Sequence, residues 1–346
     1  MKTQIKYLNG VMKVSYVIIA LLFTSEFSFA QSKTGTTIGQ FLKIEPSSRI
    51  VGLGNSGASL SGEVSSVFYN PASLGRLESS DAQFTFNKWL ADISYNYFAV
   101  GLKLEDIGTF ALIGTTLNSG EIDVRTVEQP LGTGERYSVQ NLALGLGYGL
   151  MITDRVSVGL QINYISETIW HSSLSTFGMN FGVQYEVTEG GLTMGASVSN
   201  FGSRAAYNGR DLFVNLDFDP SKNGDNDQLP AELRTNSFPL PTTFRAGVSY
   251  NFNFSEDYRL LVAVDAMHPN DNAESLNIGG ELNLLNYFSL RGGYRNLFLP
   301  DVEGGLVLGG GVHTEFMDSY SIRFDYAYAD YGRLAEAHRL TIGFSF

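Results

Sequence analysis

Arg339-Leu340-Thr341-Ile342-Gly343-Phe344-Ser345-Phe346 is the stretch whose reading decides the fold. Large apolar side chains fall at Leu340, Ile342, Phe344 and Phe346, and small or polar ones at Arg339, Thr341, Gly343 and Ser345. Strict period two is the spacing of a strand whose two faces meet different surroundings. A soluble sandwich and a membrane barrel both produce such a strand, so the neighbouring sequence has to choose between them.

Working back toward residue 81, strand-length segments recur at 81–87, 93–104, 108–118, 138–150, 156–166, 174–186, 192–200, 242–251, 258–267, 275–284, 288–295, 306–314, 319–327 and 339–346, fourteen in all. Several alternate cleanly. Val156, Val158, Leu160, Ile162 and Tyr164 face one way, and Ser157, Gly159, Gln161 and Asn163 the other. The segments at 93–104 and 108–118 instead carry apolar residues on both faces. Short turns (Glu105-Asp106-Ile107, Thr153-Asp154-Arg155, Val187 to Gly191, Phe252 to Asp257, Leu285-Asn286-Tyr287, Glu315 to Asp318) alternate with longer links at 119–137, 167–173, 201–241, 268–274, 296–305 and 328–338. Only the link at 88–92 breaks the alternation. Tight turns on one rim and long loops on the other are the habit of an up-and-down transmembrane barrel. An aromatic C-terminal residue is similar to the assembly signal of bacterial outer-membrane barrels. The sequence therefore predicts an all-β, 14-stranded antiparallel transmembrane β-barrel over 81–346, its apolar face toward lipid. Arg245, Arg259, Arg291, Arg295, Arg323, Arg339, Asp265, Glu281 and Asp325 then point inward, either lining a polar passage or holding a plug, or else pairing with one another across neighbouring strands and filling the lumen.

Composition agrees. The chain has 346 residues, 43% hydrophobic, with 38 Gly, 18 Tyr and 24 Phe, and no Cys to form disulfides or thiolate sites. Residues 1–30 read as a cleaved signal peptide: Lys2, Lys6 and Lys13 lead a short apolar core, and Ser28-Phe29-Ala30 offers a small-x-small cleavage site. Its loss takes three of 23 basic and one of 35 acidic residues, leaving a net charge of −14, which argues against a nucleic-acid partner. After residue 30 no run reaches the roughly 18 apolar residues of a membrane helix. Residues 31–80 do not alternate and read as an N-terminal plug or hatch segment with short helical turns. Gly52-Leu53-Gly54-Asn55-Ser56-Gly57 formally matches a dinucleotide fingerprint but lacks the surrounding βαβ unit, so tight turns are the better reading.

No catalytic motif emerges. The four His have no metal-ligand spacing, no G-x-S-x-G elbow occurs, and Trp170-His171-Ser172 is the only local hydrolase candidate. In the long link, Asp219, Ser221, Asn223, Asp225 and Asp227 occupy alternate positions around Gly224, the spacing of a calcium loop without its closing Glu. A weak Ca2+ site and a solvated acidic loop are the two readings of it.

Three stretches resemble the PorV/PorQ family of Bacteroidetes-type outer-membrane proteins. They are Gln40-Phe41-Leu42 through Ser48-Arg49-Ile50-Val51-Gly52-Leu53-Gly54 to Tyr69-Asn70-Pro71-Ala72-Ser73-Leu74; Gln129-Pro130-Leu131-Gly132-Thr133-Gly134; and Asp154-Arg155-Val156-Ser157-Val158-Gly159 with Ile165-Ser166-Glu167 and Ser199-Asn200-Phe201-Gly202. Gly132-Thr133-Gly134 and Ile165-Ser166-Glu167 look more like PorV than PorQ. Asn70-Pro71-Ala72 is similar to the hatch motif of FadL-like barrels, of which this family is a branch. The resemblance implies a FadL-like barrel in the cell outer membrane, surrounded by outer-membrane lipid and without enzymatic activity. Its partners would be type IX secretion components or the C-terminal domains of secreted cargo, bound chiefly by loops 119–137 and 201–241. The alternative is a FadL-like transporter of small hydrophobic molecules, with Asn70-Pro71-Ala72 in a movable hatch, an apolar cavity and a lateral opening. A lumen packed shut with paired charges counts against that alternative.

Overall fold

The same period two runs through the final strand of the computed structural model, which describes residues 33–217, 221, 228–316 and 320–346. Ala337, Arg339 and Thr341 are buried, while Leu340 and Ile342 are about half exposed. This strand, β14 (Glu336–Ser345), pairs antiparallel on one side with β13 (Tyr320–Asp330) and on the other with β1 (Asp81–Lys88). First and last strands therefore meet, and the sheet closes on itself. Between them run β2 (Ser94–Leu104), β3 (Gly108–Asn118), β4 (Val139–Thr153), β5 (Val156–Ile169), β6 (Ser172–Glu186), β7 (Leu192–Gly202), β8 (Thr243–Asn253), β9 (Tyr258–Pro269), β10 (Ser275–Leu284), β11 (Phe288–Leu297) and β12 (Leu306–Phe316). Each is antiparallel to its sequence neighbours. The expected fourteen-strand barrel is the observed one.

Closure leaves no sheet edge, and the outer wall is apolar: Phe84, Leu112, Leu146, Phe177, Leu290 and Phe324 all stand exposed. Hydrocarbon offers backbone amides no partner, so a closed ring with this outer face is a membrane-spanning structure. No helix among the described residues is long and apolar enough to cross a membrane.

Two expectations about the strands change. The link at 167–173 shrinks to Trp170-His171, because β5 and β6 continue upward as a paired ladder to Ile169 and Ser172. Inward burial persists along that extension: Glu167 is buried, accepting the Gly39 amide at 3.1 Å and the Tyr207 hydroxyl at 2.8 Å. The doubly apolar strands also find their reason. On β2 and β3 the inward Tyr95, Tyr97, Ala111 and Ile113 do not face an empty bore. They pack on Phe41, Leu42, Val64, Val67 and Leu74 of the N-terminal segment.

Residues 37–77 of that segment thread through the ring. The 3-10 turn Gln40–Lys43 lies at the long-loop rim, where Ile38 donates its amide to the Pro239 carbonyl. One α-helical turn, α1 (Ser48–Gly52), crosses the middle, capped by the Ser47 hydroxyl on the Ile50 amide. Two further 3-10 turns, Val64–Phe68 and Pro71–Arg76, lead to the short-turn rim. There Arg76 donates to the Glu186 carboxylate and to the Arg155 carbonyl. The seam of the ring is bound into this arrangement. The Ser48 and Thr341 hydroxyls lie 2.7 Å apart, the Thr341 and Thr85 hydroxyls 2.8 Å apart, and the Phe346 amide donates to the Ser80 carbonyl.

Candidate functional site

The motif Asn70-Pro71-Ala72 sits at the base of this inner segment, fully buried. Asn70 caps the turn that Pro71 begins, accepting the Ala72 amide, and its own amide group donates to the carbonyls of Ala58 and Val183. It thus ties two hatch turns together and both to β6. The close fit depends on glycine in the wall. A Cβ at Gly182 would lie 2.0 Å from Asn70 Oδ1, and one at Gly159 would lie 2.1 Å from the Pro71 carbonyl oxygen.

The predicted inward charges meet the hatch as much as one another. Glu281 on β10 takes Arg49 of α1 through two hydrogen bonds, 2.9 and 3.0 Å, and Arg291 of β11 at 2.6 Å. Arg291 also reaches Asp325 on β13 at 2.5 Å. Four alternating charges thus link the hatch to three strands. Asp265 of β9 accepts the backbone amides of Gly57 and Ala58, with Arg245 at 4.0 Å. Arg323 pairs with Asp81, and Arg339 donates to the Glu45 carbonyl. Arg259 faces the bore too, where it stands exposed toward the short-turn rim. Pairing and plug-holding, set against each other in the sequence, therefore coincide. Buried charge is tolerable only when paired and hydrogen-bonded, and half of the partners come from the hatch.

At the upper end Asp271, in the loop between β9 and β10, fixes the start of the hatch. Thr37, Gln40 and Lys43 all donate to its carboxylate, the first two at 2.8 Å and Lys43 at 3.1 Å. Burial alone would push this carboxyl up, but the hydrogen bonds from Gln40 and Thr37 and the Lys43 ammonium outweigh it and hold it below the usual carboxylate range.

The hatch divides the bore. On the short-turn side lies a polar vestibule of about 630 Å³, lined by Arg49, Glu63, Glu281, Arg291, Arg323 and Asp325 among others. On the long-loop side lies a chamber of about 530 Å³. Phe41, Leu42, Ile113, Leu117, Trp89 and Leu299 give it apolar walls, whereas Asn141, Gln161, Asn163, Asn180 and Asn200 cover another part with carboxamides. The period-two reading placed Gln161 and Asn163 on the inner face. It gave no sign that Asn180 and Asn200 join them, because that depends on register across three strands.

Of the calcium-loop residues, Asp219, Asn223, Asp225 and Asp227 lie outside the described residues, and Ser221 is an exposed turn residue. Among the described residues no group of three His, Asp or Glu side chains is placed to hold a metal ion. His171 bonds Asp211, His268 bonds Glu274 and His338 bonds Tyr326. No serine hydroxyl reaches His171 among the described residues, so Trp170-His171-Ser172 does not assemble a nucleophile.

No protein-family model matches this sequence, and no curated protein matches it. Solved structures do. The chain is similar to the Pseudomonas putida toluene transporter TodX, with a TM-score of 0.57 at 12% identity, covering 86% of this chain and 96% of that one. It is similar to the CymD monoaromatic hydrocarbon channel, with a TM-score of 0.56 at 14% identity over 87% and 97%. The Ralstonia pickettii toluene transporter TbuX gives a TM-score of 0.51 at 13% identity over 87% and 97%. At such identity the likeness is one of fold: these are fourteen-strand barrels of the FadL-like kind, seen here over nearly their full length.

Proposed function

We propose that this chain is a non-enzymatic outer-membrane barrel that admits small, largely apolar molecules through the chamber and past the hatch into the periplasm. The observation that carries the reading is the chamber itself. A partly apolar cavity of about 530 Å³ lies at the long-loop side, with part of the N-terminal inner segment as its floor. Cavities of a few hundred Å³ with apolar walls and a few polar groups are typical small-molecule sites. The fold shared with hydrocarbon transporters and channels supports the reading. The paired charges beneath the chamber are the feature that counts against transport, and they close the resting bore, so this reading stands only if the hatch moves.

A lock tests this. The chain has no native Cys, and Ser48 and Thr341 have their hydroxyls 2.7 Å apart. Ser48→Cys with Thr341→Cys should fasten the hatch to the barrel wall under oxidation. In a host deleted for its own barrels of this fold, accumulation of labelled toluene or octyl glucoside should fall on oxidation and recover with reductant. Accumulation indifferent to the lock, or to the presence of the chain, would sink the proposal.

A second reading, binding of type IX secretion components or cargo C-terminal domains, draws on the loops. Ile122–Asp123 pairs with Arg136–Tyr137, and Phe213–Leu216 with Leu229–Glu232, so two small ladders project from the loops on which a cargo strand could add. Val127, Leu131 and Phe213 stand exposed nearby. A deletion strain that secretes and anchors its type IX cargo normally would exclude this role.

A further inference from the structure

We propose that the chamber selects amphiphiles whose polar part is uncharged and rich in hydroxyl or amide groups, in preference to bare hydrocarbons or carboxylates. This rests on the reading of the chamber as a small-molecule site and narrows it.

The ground is the carboxamide wall. The register sets Gln161 of β5 directly opposite Asn180 of β6, and Asn163 opposite Gly145 of β4. Gln161 donates to Asn163 Oδ1 at 2.6 Å and accepts from Asn180 at 3.3 Å, and Asn180 Oδ1 in turn accepts the Asn200 amide at 2.7 Å. All four side chains are more than nine-tenths buried. Gly145 leaves room for them: a Cβ there would lie 2.4 Å from Asn163 Oδ1 and 2.8 Å from Gln161 Nε2.

Two further groups on the same lining have no hydrogen-bond partner among the described residues. They are the Tyr97 hydroxyl, on a side chain 1% exposed, and Asn141 Oδ1. Leaving such atoms unsatisfied on burial forfeits the hydrogen bonds they made to water, so a guest that supplies them is favoured. A hydrocarbon guest would leave both without partners. A carboxylate could accept from Tyr97 but has no proton to give Asn141 Oδ1. A hydroxyl or a secondary amide both gives and accepts, as the carboxamides do.

The cations near the chamber are largely engaged. Arg295 stacks over the Tyr331 ring at 3.6 Å and donates to the Asp330 carbonyl. Arg245 donates to the Asn55 carbonyl beside Asp265. Lys43 is paired with Asp271, Arg295 Nε is left over, and Glu45 shares the chamber. One spare donor in a chamber that also holds a carboxylate is a poorer signature for an anionic head than five carboxamides are for a neutral one.

The chain's two tryptophans allow a direct test. Trp89 lines the chamber, and Trp170 lies outside it. With Trp170→Phe in lipid nanodiscs, Trp89 fluorescence can be titrated with octyl glucoside, octanoate and toluene, with Trp89→Phe as the blank for partition into lipid. Octyl glucoside should bind at least tenfold more tightly than either other probe. Gln161→Leu with Asn163→Leu should weaken it tenfold or more while leaving toluene no weaker, folding being checked by heat-dependent gel mobility. Should octanoate or toluene bind as tightly as octyl glucoside, the preference is wrong while the chamber reading stands. Should no probe move Trp89, both fall.

Discussion

The inner wall of β2–β4 and that of β9–β13 hold the same segment by different physics. On the first side, Tyr95, Tyr97, Ala111, Ile113 and Ala143 meet Leu42, Val64, Val67 and Leu74 in one continuous apolar cluster. On the second, two smaller apolar clusters, Ile50 and Leu53 with Leu261 and Ala263 and Val51 with Val307 and Ala327, are joined by charges: Asp265, Glu281, Arg291 and Asp325 reach Arg49 and the amides of Gly57 and Ala58. Apolar contact is non-directional and scales with the area withdrawn from water. A chain of charge-assisted hydrogen bonds works in one geometry only, and breaking it is costly. The difference teaches a division of labour: the oily half supplies most of the adhesion, and the charged half fixes the position in which the hatch rests.

The largest effect should come from breaking the charged half. Glu281→Ala leaves Arg49 and Arg291 facing each other with Asp325 as the one remaining carboxylate of the network. Removing one partner of a buried pair costs about 3–5 kcal/mol. Urea unfolding in lipid should show that loss, and protease should cut the hatch in the variant but not in the parent. Leu74→Ala opens a hole in the oily half, where Leu74 is fully buried. Roughly 2–5 kcal/mol is expected for such truncations, most often near the lower end where the site can relax. Protease protection of the hatch should survive in this variant, because its register is set elsewhere. Equal loss of protection in both variants would erase the distinction between the halves.

Gly159→Ala probes the floor between them. Its new Cβ must displace the Pro71 backbone, at about 1–3 kcal/mol for an overpacked site. Gly310→Ala, where the nearest atom would be 3.7 Å away, is the matched control and should be close to silent. The smallest effect concerns Asp271. Its folded carboxyl lies below its unfolded value, so the contact contributes fully above about pH 4, the unfolded value of an aspartate, and is lost as pH falls through the lowered one. Hydrogen exchange at residues 37–44 should therefore rise below about pH 4 before the strands respond. Asp271→Asn should show the faster exchange already at pH 7.

The strands were legible because lipid enforces alternation on every residue that faces it. The two ambiguous segments, 93–104 and 108–118, were ambiguous for a reason that lay elsewhere in the chain. Their inner residues are apolar because Leu42, Val67 and Leu74 arrive against them, and nothing within residues 93–118 reveals that. The charges were placed on the correct face by period two, Arg259 among them, since it lines the polar vestibule. Their partners were not legible, since Arg49 and Glu281 lie 232 positions apart. Asn70-Pro71-Ala72 could be singled out only through its resemblance to the hatch motif of FadL-like barrels. The glycines that receive it, Gly159 and Gly182, looked like ordinary small residues of an inward face.

The bond between Ser48 and Thr341 spans 293 positions and joins an early part of the chain to the very last strand. During biogenesis the stopper is synthesised first and the stave that seals the cask comes last, yet each holds the other. A cylinder completed in advance would have no way to admit the stopper without parting again at β1 and β14. Insertion into the bilayer is thus expected to fold filling and sealing into a single event, with no long-lived empty pore exposed to the cell.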